Sequence, residues 1–254
     1  ELRVLLAETM QRLGRIDDAA AALNEALERA PNHLRANEAL ADLYAAANRP
    51  ADLQRALAAL VERFPNDQDH RRRLGEAYFN ADDTERAIET WRGVLGPGAD
   101  AAAHATLAGW FERYGLVAEG IRELEAAIAL EDSRERRMQL ADLHFQAGNP
   151  DEAVRTWTST LENEGATSAD YVEIAMLIAA RELVDDAELL LERALELEPE
   201  DGQAKLSLAK LHARRGRFEA SIPYFTDLAE QREYSYLRDR GIDGLLDAYS
   251  SLGQ

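Results

Sequence analysis

Carboxylates dominate the reactive side chains of this sequence: 48 Asp and Glu stand against 29 Lys and Arg, a formal charge of -19. Four of them recur at one register, as Glu8, Asp42, Glu76 and Asp142, with Gly109 taking the intervening place. Phe79 and Phe145 follow two of these acids three residues later. An aromatic ring beside a carboxylate suits a partner that offers an apolar side chain next to a basic one, or a cationic sugar. Bases are concentrated at Arg71-Arg72-Arg73 and at Arg214, Arg215 and Arg217. Outside a binding role, such arginines pair with neighbouring surface acids and contribute little each.

Other chemistries have no motif. With no cysteine there is no disulfide, thiolate metal site or thiol nucleophile. His33, His70, His104, His144 and His212 form no pair at i and i+4 around a glutamate, so zinc hydrolysis lacks its ligands. Gly96-Pro97-Gly98 lacks the strand and downstream glycine of a dinucleotide loop, and neither a P-loop nor a Gly-x-Ser-x-Gly elbow occurs. The expectation is a non-enzyme without cofactor or metal. The acidic balance opposes nucleic acid, which needs a basic footprint, and an anionic membrane surface, and favours a basic or cationic protein partner. No apolar run approaches the length of a membrane-spanning helix. The chain starts inside a helical pattern at Glu1 and stops at Leu252-Gly253-Gln254, as expected of a piece cut from a longer protein.

The elements that carry these residues are best seen in Leu140–Trp157. It reads as a helix, a turn at Gly148-Asn149-Pro150, and a second helix whose start is favoured by Asp151 and Glu152. The same unit recurs. A small residue of each first helix stands at Ala7, Ala41, Gly75, Ala108, Ala141, Ala175 and Ala209, in steps of 33 or 34. The second helices carry Ala19, Leu53, Ala87, Gly120, Ala153, Ala187 and Ser221. Four residues on come Leu23, Leu57, Trp91, Leu124, Trp157, Leu191 and Phe225, which puts them on the same helical face. His144 and His212 take an aromatic packing slot that Tyr44, Tyr78 and Phe111 fill elsewhere. Gly14, Asn48, Gly115, Gly148 and Gly216 suit a left-handed turn, whereas Asp82 and Glu182 suit it less well. Pro223 is expected to distort the start of its helix, and Glu164-Gly165-Ala166 departs from the usual repeat closure. The register slips after Glu230, before a last helix over roughly Tyr236 to Leu252.

This pattern resembles the tetratricopeptide repeat, whose period is about 34 residues. The resemblance implies an all-α, right-handed superhelical solenoid of stacked antiparallel helix pairs. It covers 1–254 as a single array, with approximate repeats at 1–32, 33–66, 67–99, 100–132, 133–166, 167–200 and 201–234 and a terminal helix at 235–254. In that family the first helices line a concave face that commonly holds a partner's peptide or helix. The expected contact residues are therefore Asp42, Glu76, Phe79, Asp142 and Phe145. Arg72 and Arg73 match the basic part of a family clamp for C-terminal carboxylates, but Glu8 and Ala39 stand where its asparagines belong. Stacked array ends also allow self-association. The acidic, arginine-rich composition resembles periplasmic scaffolds of bacterial exopolysaccharide export (Pel, poly-N-acetylglucosamine and cellulose types). That implies recruitment of polymer-modifying enzymes, with a periplasmic location favoured over a cytoplasmic one. Direct contact with a cationic polysaccharide, and service as the repeat arm of a larger enzyme, are the alternatives.

Overall fold

The computed structural model describes residues 2–162, 165–230 and 234–253, and these form fifteen α-helices and no strand. The helices fall into two compact units, residues 1–130 and 131–254. In the first unit, α1 (Leu2–Arg12) pairs with α2 (Ile16–Arg29) and α3 (Leu34–Ala46) with α4 (Pro50–Arg63). Next, α5 (Gln68–Phe79) pairs with α6 (Thr84–Arg92), and α7 (Ala101–Arg113) with α8 (Val117–Leu130). The second unit holds α9 (Arg134–Gln146) with α10 (Pro150–Ser159), and α11 (Ser168–Ala179) with α12 (Val184–Leu197). It ends with α13 (Gly202–Arg214), α14 (Phe218–Glu230) and α15 (Ser235–Ser251).

Each turn inside a pair closes in the same way. The residue at the left-handed position has positive φ, and the next backbone N–H reaches back five residues to a first-helix carbonyl, as in Arg49 N to Tyr44 O at 2.9 Å and Asn149 N to His144 O at 3.0 Å. Asp82 (φ 60°) and Glu182 (φ 66°) adopt this conformation too, despite their Cβ atoms. The hydrogen-bonded closure is worth more than the local strain at these exposed positions.

Six successive first helices begin at a residue whose side chain accepts from a first-turn N–H: His33, Asp67, Asp100, Ser133, Thr167 and Asp201. This satisfies orphan donors at each helix start and repeats at the same 33- or 34-residue spacing. Thr167 and Asp170 complete a reciprocal capping box.

The small-residue ladder lies in the core, where Ala7, Ala41, Gly75, Ala108, Ala141, Ala175 and Ala209 are all buried. So are Leu23, Leu57, Trp91, Leu124, Trp157, Leu191 and Phe225, while Leu53 is half-buried. His212 is buried against the ring of Tyr224, with centroids 6.0 Å apart, and Trp110 is half-buried in the aromatic cluster around Trp91. Helix α14 continues through Pro223. Helix α15 packs Leu245 inward but leaves Leu246 and Tyr249 exposed. The register slip falls largely on residues 231–233, and Glu164 of the irregular closure also lies outside the described residues.

Candidate functional site

In the first unit, the expected residues gather on α3 and α5. The Arg73 guanidinium on α5 donates to the Asp42 carboxylate on α3, joining adjacent first helices. Arg72 donates to Asp69 at 2.6 Å and to Glu76 at 3.2 Å, and the bond to Asp69 raises its pKa further. These acids are therefore not bare, although the Asp42 side chain stays 63 % exposed and that of Glu76 38 %.

Phe79 is half-buried and packs between Trp91 and Tyr114, with centroid distances of 6.1 and 5.2 Å. Tyr114 in turn stacks on Trp91 at 4.7 Å. The Tyr114 hydroxyl is buried and has no hydrogen-bond partner of ordinary geometry among the described residues. Burial, and then the nearby Glu76 carboxylate, hold its pKa above the usual tyrosine value. The indole N–H of Trp91 donates to the Arg72 carbonyl at 3.0 Å, which ties the base of this group to the backbone of α5.

In the second unit, Asp142 and Phe145 on α9 are joined by a residue that sequence reasoning missed. Arg181 donates to Asp142 at 2.7 Å and to the Leu177 carbonyl at 3.1 Å. Its guanidinium lies 4.8 Å from the centre of the Trp157 ring and 5.6 Å from that of Phe145. Phe145 packs on Trp157 at 6.0 Å and is half-buried. On the same first-helix surface, Arg134 of α9 bonds Glu173 of α11 at 2.9 Å.

The two groups correspond position by position. Arg181 immediately precedes the left-handed Glu182, and Tyr114 immediately precedes the left-handed Gly115. Each side chain covers the Trp and Phe of the preceding repeat and approaches its acid. Where Leu23, Leu57 or Leu124 replaces tryptophan, the corresponding residue is Ala47, Ala81 or Ala147, whereas Leu191 is followed by Arg215, which turns instead to Asp185 and Glu188. The signal available in the sequence was a large residue, Tyr114 or Arg181, at the first-helix end that follows each of Trp91 and Trp157.

No group of three or more His, Asp or Glu among the described residues is arranged to hold a metal, and no described helix is long and apolar enough to cross a membrane. Most charged groups here are paired to one another, and the arrangement offers a surface for recognition.

Sequence profiles of the tetratricopeptide repeat match residues 1–43, 47–103 and 172–236. The chain belongs to the tetratricopeptide repeat family. Members of this family generally mediate protein–protein interaction and typically serve as non-catalytic scaffolds. Among solved structures, the Naa15/Naa10 assembly bound to HypK-THB aligns over 99 % of this chain and 39 % of its own, at 14 % identity and a TM-score of 0.54. That likeness concerns the fold. The MamA protein aligns over 63 % of this chain and 89 % of its own, at 21 % identity and a TM-score of 0.41. YrrB, described as a repeat protein with an unusual peptide-binding site, covers 77 % of this chain and 99 % of its own, at 18 % identity and a TM-score of 0.38. No curated protein matches the sequence.

Proposed function

We propose that this chain is a non-catalytic scaffold whose first-helix faces dock protein partners bearing basic groups. The observation that carries this reading is the paired arrangement of a half-buried phenylalanine with an accessible acid, Phe79 with Glu76 and Phe145 with Asp142. An incoming base competes with Arg72 or Arg181 for a carboxylate that is already oriented, while the ring edge takes apolar surface. Asp42 and Arg73 extend the same surface in the first unit. The biological setting we infer, from the acidic and arginine-rich composition, is recruitment of polymer-modifying enzymes during bacterial exopolysaccharide secretion.

An affinity pull-down from the envelope fraction of the source organism tests both levels. It compares wild type with an Asp42→Asn, Glu76→Gln, Asp142→Asn variant whose helicity is checked by circular dichroism. A partner held by wild type and lost by the variant supports the surface, and its identity tests the secretion setting. A partner retained equally by both moves the docking site elsewhere.

A further inference from the structure

The acidic register of the first helices ends in a base. Lys210 on α13 occupies the position that Asp142 holds on α9, and it lines a half-open cavity of about 230 Å³ between α13, α14 and α15. Two close contacts create this notch. A Cβ on Gly241 would come within 2.5 Å of the Ala229 backbone nitrogen, and one on Gly244 within 2.4 Å of the Phe225 ring. Glycine at both places lets α15 press against α14, so that Phe218 and Phe225 floor the notch between α13 and α15.

The two walls carry opposite character. On α13, Lys210 and Arg214 stand one helical turn apart and are both exposed. On α15, Asp243 and Asp247 face the same cavity, and Arg240 is drawn over the Tyr236 ring at 5.5 Å. Elsewhere in this unit the described lysines and arginines are paired with acids, from Arg134 with Glu173 to Arg217 with Glu188. Lys205, for example, is bonded to Glu200 at 3.0 Å and Asp227 at 3.1 Å. Lys210, Arg214 and Arg240 are the exceptions: none has an ion-pair partner among the described residues, and neither do Asp243 and Asp247. Three cations without an acid partner among the described residues thus line one cavity in a chain with a large excess of acid.

We propose that this notch is a peptide-docking site for a segment that inserts one apolar side chain between an acidic and a basic residue. The acid faces Lys210 and Arg214, and the base faces Asp243 and Asp247. The volume is below the roughly 300–1,000 Å³ of pockets that enclose a small-molecule ligand, which suits a single anchoring side chain. Both signs on the walls select a segment carrying both charges over a uniformly acidic one. The site is separate from Asp142 and Phe145, so its failure leaves the first-helix reading untouched.

The test uses the full chain and capped, fluorescently labelled peptides with leucine or phenylalanine at the centre. One set has glutamate and lysine on opposite sides at separations of two to five residues, in both orders, and the control sets have glutamate or lysine at both places. Binding is read by fluorescence anisotropy and mapped by amide chemical-shift changes. The expected result is that a mixed-charge peptide binds at least fivefold tighter than either control and shifts amides of α13 and α15. Lys210→Glu with Arg214→Glu, and separately Asp243→Lys with Asp247→Lys, are each expected to weaken it about tenfold. Equal or tighter binding of the all-glutamate peptide, strengthened on Asp243→Lys with Asp247→Lys, overturns the two-wall reading in favour of a plain anion site. Absence of binding by every mixed peptide at millimolar concentration, or shifts confined to other helices, overturns the site itself.

Discussion

Gly75 and Trp91 make the packing of the first unit testable at one position. A Cβ on Gly75 would lie 2.1 Å from the Trp91 Nε1 and 2.5 Å from two further indole atoms. Gly75→Ala therefore forces the buried ring to move, at an overpacking cost of about 1–3 kcal/mol. Movement also breaks the indole bond to the Arg72 carbonyl, a further ~1 kcal/mol, and disturbs the stack on Tyr114. Alanine's better helix propensity offsets about 1 kcal/mol of this. The net expectation is a loss of about 1–3 kcal/mol. The other repeats indicate the remedy, because Ala41, Ala108 and Ala175 are accompanied by Leu57, Leu124 and Leu191. Trp91→Leu alone leaves a cavity, but in the Gly75→Ala background it removes the clash. A double-mutant cycle in urea, followed by far-ultraviolet circular dichroism, should show a favourable coupling of about 1–2 kcal/mol with unchanged m-values. Additivity within about 0.5 kcal/mol, or a Gly75→Ala variant as stable as wild type, refutes the size-complementarity argument. Ala141 accommodates Trp157, but there the indole nitrogen is buried without a hydrogen-bond partner among the described residues, so that ring is seated differently.

Three further outcomes follow from the same geometry. Asp82→Gly and Glu182→Gly relieve left-handed backbone at exposed positions and should each stabilise by about 0.5–1 kcal/mol, seen as a higher denaturation midpoint, whereas Gly148→Ala should do the reverse. Arg181→Met keeps bulk over Trp157 but removes the charge and the bonds to Asp142 and Leu177; it should cost about 1–2 kcal/mol in thermal unfolding, and Arg181→Lys should not restore it fully. Burial lowers the pKa of His212, against Glu188 and Glu192 and assisted by Arg217 and Arg215. The unfolded chain therefore takes up this proton first as pH falls through the ordinary imidazole value of about 6.5, and stability drops across that interval. Urea midpoints between pH 7.5 and 5.5 should decline for wild type and flatten for His212→Phe; equal slopes would count against a buried neutral imidazole.

The helix pairs were legible because their determinants are local and periodic. Small residues from Ala7 to Ala209, the residues four places after each second-helix small residue, and most turn glycines all repeat with the helix pair. The caps from His33 to Asp201 were equally periodic, but their residue types vary, so only the observed hydrogen bonds reveal them as one series. Asp82 and Glu182 show the limit of residue preference: their left-handed backbone is imposed by closure of the turn, not chosen by the side chain.

The contact residues are a different case. Asp42, Glu76, Phe79, Asp142 and Phe145 could be placed on first-helix faces from their register, but the company they keep could not. Arg73 bonds Asp42 across 31 residues and Arg181 bonds Asp142 across 39, distances set by the reach of long side chains over a repeat boundary. The notch between α13 and α15 depends likewise on two glycines that seat α15 against α14, and on charges held too far apart to pair. Helical periodicity comes from backbone geometry and burial along a few turns, so it is written in the residue order. Pairing and vacancy among charges depend on ångström-scale distances between side chains remote in the chain, and only the packed structure sets those.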